Sequence, residues 1–153
     1  MGAYRLGPEQ RVVLRDRLRA LADVSDEALC HPVDGEWTVA AKLAHLAFWE
    51  ARQVGVLEAW RRHGLVPAWW TAEEAHAVNA ARLPSWLALP PRVALAQALA
   101  AADALDQVMA ELPGELLAQL PWRRQEPALH RGEHLDEIER ALAARRQLGR
   151  TGA

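Results

Sequence analysis

At 153 residues the chain has room for one substantial core but rarely two, so a single domain, residues 1–153, is expected. Thirty-one alanines and 23 leucines against one isoleucine and 11 valines favour helix over sheet, because β-branched side chains are scarce. A net charge of −2 with arginines spread along the chain leaves no basic footprint for nucleic acid, and Cys30 as the one cysteine excludes an internal disulfide and a thiolate metal cluster.

The opening stretch MGAYRLGPEQRVVLRDRL lacks the apolar run of a signal peptide, and no stretch approaches the ~18 consecutive apolar residues of a membrane span. The expectation is a cytoplasmic chain with no membrane partner. Val12, Val13, Leu14, Leu18 and Leu21 recur at helical spacing and predict a first helix from Pro8 to about Ala22. Ser25 reads as the N-cap of a short turn, and His31 and Pro32 open a loop through Asp34 and Gly35. Thr38 can cap a long second helix that runs to His63, where Gly64 supplies the stop.

The stretch LVPAWWTAEEAHAVNAARLPSW then reads as a crossover with its own short helix, started by the capping box Thr71/Glu74 and ended at Pro84. A third long helix is predicted from Pro90 or Pro91 to the break at Pro113 and Gly114. The fourth runs from about Pro127 to Leu148, after a linker holding Pro121 and Trp122. Four long amphipathic segments, a crossover and no strand pattern describe an all-α four-helix bundle.

Three histidines carry the chemistry. His130 and His134 lie four residues apart in HRGEHLDEIERAL, so on a helix they point the same way, in register with the apolar stripe of Ile138 and Leu142. His45 sits in the apolar run TVAAKLAHLAFWE, one turn before Phe48 and Trp49. A single such ring can be a core histidine bonded to a backbone carbonyl. A buried pair needs partners for several polar nitrogens, which a shared metal ion would satisfy with neutral imidazoles. With no cysteine cluster, such a metal must use histidine and carboxylate, and three imidazoles would leave coordination positions open for chemistry.

Glu133 completes H-x-x-E-H, the string of the inverted zinc peptidases, whose third ligand comes from another helix well downstream. Only 19 residues follow His134, and Glu137 and Glu139 lie on its own helix, so the peptidase reading fails. Glu133 stays as the nearest catalytic carboxylate for a metal-assisted hydrolysis.

The string GEWTVAAKLAHLAFWE resembles the first metal-binding signature of the DinB-like superfamily, and HRGEHLDEI resembles its second, a His-x-x-x-His in the last helix. Between them EEAHAVNAARL is similar to the connecting helix of members related to mycothiol-dependent maleylpyruvate isomerase. The resemblance spans roughly Gly35 to Leu142. It implies an up-down-down-up bundle holding a divalent metal, zinc or nickel, on His45, His130 and His134, and assembly as a homodimer. It also implies transfer of a low-molecular-weight thiol such as mycothiol, bacillithiol or glutathione to a small electrophile. The additional C-terminal domain of the maleylpyruvate isomerases is not matched, which argues against that particular reaction.

Seven tryptophans are many for this length. Trp37 and Trp49 flank His45 while Trp69, Trp70 and Trp86 fall in the crossover, where they either pack as core or wall an apolar pocket beside the metal. Trp49, Trp70, His76 and Asn79 are the candidate contacts to a small-molecule substrate, the last two sharing the crossover helix at a spacing of three. Glu50 reads as a surface charge or as an acceptor behind a ligand. His63 reads as a helix-end cation and not a ligand. The doublets Arg61/Arg62 and Arg123/Arg124 read as solvated faces or contacts to an acidic thiol. The competing class is a binding or sequestering module for a toxic metabolite, with no turnover.

Overall fold

A computed structural model describes residues 6–64, 70–120 and 126–151. Trp69, Pro121, Trp122, Arg123 and Arg124 lie outside them. The described residues are mostly helical: α1 (Pro8–Ala20), α2 (Asp26–Leu29), α3 (Val39–His63), α4 (Ala72–Leu87), α5 (Pro91–Glu111), α6 (Gly114–Leu117) and α7 (Ala128–Thr151). The starts follow the caps read from the sequence. Ser25 accepts from the Ala28 amide and Thr38 from the Ala41 amide, and Thr71 and Glu74 bond each other's backbone N–H groups. Gly64 closes α3 in the left-handed region at φ 66°.

Two local expectations are corrected. The segment after His31 is not an open loop but a small antiparallel hairpin, β1 (Pro32–Asp34) with β2 (Trp37–Thr38), turned at Gly35 with φ 51°. Its strands are too short to show an alternating pattern. Nor does Pro84 end the crossover helix: α4 continues through it to Leu87. Proline costs one backbone bond and a clash there, and burial of Trp86, 3 % exposed, holds the last turn against the core.

Helix α1 packs on α5 and α7, and α3 packs on α5 and α7, so the four long helices other than α4 form a closed ring of neighbours. Helix α4 lies on α3 and against β2. By length and composition α5 is apolar enough to cross a membrane, with a mean hydropathy of 1.2, although it holds no long unbroken apolar run. Its buried stripe, Ala94, Leu95, Ala98, Ala102 and Leu105, packs in the interior as a core helix does.

Among the described residues the apolar interior falls into two clusters. The larger includes Leu18, Leu29, Leu43, Ala98, Leu135 and Ile138, and the smaller includes Leu57, Trp60, Leu105, Met109, Leu117 and Leu120. Between the stretches of α3 and α5 that supply each cluster sits Arg131 of α7, fully buried. It forks onto both oxygens of Glu50 at 2.8 and 3.0 Å and both oxygens of Asp106 at 3.2 Å, and reaches the Ala102 carbonyl. Arg15 of α1 adds an ion pair to Asp106 at 3.3 Å. Glu50 is therefore not a surface charge: it is 3 % exposed and belongs to the core. Desolvation lifts its carboxyl above the ordinary range against the pull of Arg131, and the two carboxylates overcome desolvation to hold the Arg131 guanidinium above its usual value.

Removing one partner of such a pair leaves uncompensated charge in the core. Arg131→Met is expected to lower unfolding free energy by about 3–5 kcal/mol. The check is a lower guanidinium midpoint at unchanged m.

Candidate metal centre

His45 lies in the second turn of α3 on its buried side, 5 % exposed, while His130 and His134 stand one turn apart on α7. Contact between α3 and α7 brings the three rings together. The Nε2 atoms of His45 and His130 are 3.2 Å apart and those of His134 and His130 are 3.0 Å apart, and ligand atoms of all three lie within 4.8 Å of one another.

Hydrogen bonding alone serves this arrangement poorly. An Nε2 carries at most one proton, so the His130 nitrogen cannot make full bonds to both neighbours while each keeps its own proton or lone pair aimed inward. A cation accepts all three lone pairs at once. Ligand nitrogens ~2.0–2.1 Å from a tetrahedral zinc stand about 3.3 Å apart, close to both short separations. The residues fit a three-histidine metal site.

The surroundings set the state of the rings. His134 donates from Nδ1 to Glu137 Oε2 at 2.8 Å, and Lys42 Nζ lies 3.0 Å from the same oxygen. Burial alone would raise the Glu137 carboxyl, but His134 and Lys42 hold it below the ordinary carboxylate range. An ionised Glu137 keeps the proton on Nδ1 and turns the Nε2 lone pair inward. His45 is boxed by the edges of Trp37 and Trp86, both with centroids at 5.4 Å, and by Trp49 at 6.3 Å. Burial foremost, then His130, His134 and Lys42, lowers its pKa from 6.5 to about 2, with Asn79 opposing, so the ring is neutral and free to bind a cation. Its Nδ1 is buried without a hydrogen-bond partner.

A cleft of about 850 Å³ opens beside His45 and His130, a size suited to a small organic molecule. Trp49 and Trp70 wall it, edge to face at 5.4 Å, and Trp49 Nε1 donates to Asn79 Oδ1 at 2.9 Å. The side chains of Trp49, Trp70 and Asn79 are thus brought together in one wall. His76 is not: it is exposed and outside the cleft lining. Glu133 lines the cleft as an exposed residue of α7. The carboxylate bonded to a histidine is Glu137, not a ligand from a second helix but a support on the same one, and its i,i+3 spacing from His134 is the sequence signal for that contact. Lys42 and Arg131 are buried without any local sequence signal, because nothing nearby in the chain marks a lysine or an arginine as buried.

Glu137→Ala is expected to weaken zinc binding by about 10–100-fold, measured by competition with a chromophoric chelator. A histidine with a depressed folded pKa is protonated first in the unfolded chain, so its contribution to stability is complete above about 6.5 and lost progressively as pH falls toward about 2. Metal-stripped protein should therefore lose stability below pH 6.5, already above the carboxylate range, by up to about 1.4 kcal/mol per pH unit. His45→Gln should flatten that part of a urea-denaturation pH series. Comparison with family models, with characterised proteins and with solved structures returned no match, so the reading of this centre stands on the geometry of the chain itself.

Proposed function

We propose that this chain is a DinB-like metalloenzyme: an up-down-down-up four-helix bundle that holds zinc or nickel on His45, His130 and His134 and transfers a low-molecular-weight thiol to a small electrophilic substrate. The observation that carries this reading is the convergence of three imidazole nitrogens, two pairs of them at 3.0 and 3.2 Å, at the edge of an aromatic-walled cleft. The ring of contacts among α1, α5, α3 and α7 supports the bundle. A divalent ion in this site supplies Lewis acidity, lowering the pKa of a thiol or water brought to it.

The chain's own residues do the rest. Glu137, backed by Lys42, fixes the tautomer and orientation of His134. Trp37, Trp49 and Trp86 keep His45 neutral by excluding water, and Trp49 and Trp70 offer flat apolar walls to the electrophile. In the transfer the thiol sulfur bonds to the electrophilic carbon as the leaving group departs with its electron pair. The thiol proton goes to solvent through the open side of the cleft.

Assembly as a cytoplasmic homodimer belongs to the same proposal, and the exposed Val12, Val13 and Leu148 are apolar side chains available for it. Hydrolysis is the second reading, favoured only by the position of Glu133 along the cleft.

Zinc- or nickel-loaded protein is expected to contain a single equivalent of metal by elemental analysis, and the His45→Ala, His130→Ala and His134→Ala variants to retain little. The loaded protein should accelerate coupling of a test thiol to an activated haloarene, and Glu133→Gln should leave that rate unchanged while abolishing any hydrolase activity. Failure of the wild type to bind either metal would overturn the reading, and metal and ligand binding without turnover would select the sequestering alternative. Because the rings ride on packed helices, chelation should remove the metal without loss of far-UV helicity.

A further inference from the structure

The cleft continues past the histidines along α3. His45, Trp49, Arg52 and Gln53 follow one another at helical spacing on its inner stripe, and all four line the cavity. Arg52 sits in an aromatic corner, its guanidinium carbon 4.5 Å from the Trp70 ring centre and 5.7 Å from that of Trp49. Among the described residues it is the one lysine or arginine lining the cleft, and no described carboxylate pairs with it. Beside it Gln53 is 8 % exposed, and its Nε2 has no hydrogen-bond partner. A buried amide donor left empty costs free energy, and an unpaired guanidinium held on two rings keeps its donors for something else.

The remaining charges of the wall narrow the choice of ligand. Glu50 is taken by Arg131, Glu126 by Arg11 at 2.9 Å, and Asp136 by Arg17 at 2.6 Å. Only Glu133 among the lining acids has no described partner, and it is exposed. Among the described lining residues, one uncompensated cation and one neutral donor match a monoanion of planar shape better than a dianion such as phosphate, whose second charge would have no described cation to meet.

We propose that Arg52 and Gln53 form a carboxylate-binding subsite, so that the molecule engaged at the histidines is a bifunctional one carrying a carboxylate at its far end. Seven to eight residues of helix separate His45 from this pair, which places the two ends ~10–12 Å apart along α3. The histidine end of this picture rests on the metal reading above, whereas the carboxylate end stands on the cleft itself.

The test uses straight-chain ω-mercaptocarboxylates of increasing length, the matching ω-mercapto primary amides, and the thiol-free alkanoates, titrated calorimetrically into zinc-loaded protein. The carboxylates are expected to bind about tenfold more tightly than the amides, with an optimum at the chain length that spans ~10–12 Å. Arg52→Met should abolish that preference while leaving amide affinity unchanged, and Gln53→Leu should reduce it. Arg52→Lys, which keeps the charge without the planar fork, should retain part of it and covers the case in which the methionine variant misfolds. Equal affinity of carboxylate and amide for the wild type, or a preference that survives Arg52→Met in a folded protein, would overturn the subsite. If the thiol adds nothing over the alkanoate but the carboxylate preference still depends on Arg52, the subsite stands and the thiol-transfer reading falls.

Discussion

A charged side chain at the centre of the molecule governs where everything else sits. Arg131 leaves α7 and is held in two forks, one on Glu50 of α3 and one on Asp106 of α5. Aliphatic side chains can slide past one another at modest cost, whereas a buried guanidinium with two bidentate partners tolerates one axial register. Since His130 is the preceding residue and His134 lies about one turn on, the same register sets both rings opposite His45. The network is a positioning device more than a source of stability, because desolvating three charges offsets much of what their attraction returns.

The centre separates two kinds of environment over a few ångströms. On the side of α3 His45 is enclosed by indole edges and stays neutral. On the side of α7 His134 is tied through Glu137 to Lys42, where the charges compensate each other at the rim. His45 is thus kept neutral while Glu137 orients the His134 ring and formal charge is kept behind it, an arrangement suited to a divalent cation. The aromatic box has a further consequence: Trp49, which flanks His45, is also a wall of the cleft, so packing that protects the ligand shapes the substrate space as well.

Much of this is legible in the amino-acid chain alone. Helix starts were legible because Ser25, Thr38 and Thr71 cap through bonds made within three residues, and the long helices because their apolar periods run over many turns. Pro84 misled, since a proline in a last turn forfeits little once Trp86 is buried beyond it. The hairpin at Pro32–Thr38 escaped notice because strands of two and three residues have no period to read.

By itself the sequence determined the helical class, the caps and the pairing of His130 with His134 on one face, because each depends on residues within a turn or two of each other. Only the tertiary structure decided that His45 meets that pair, that Glu50 is a core partner of Arg131, that Glu137 and not Glu133 supports a ligand ring, and that Asn79 faces the cleft while His76 does not. Those are relations across roughly 30–85 positions, or choices between two faces of one helix. A side chain's burial and charge state follow from what other helices place beside it, which no local pattern records.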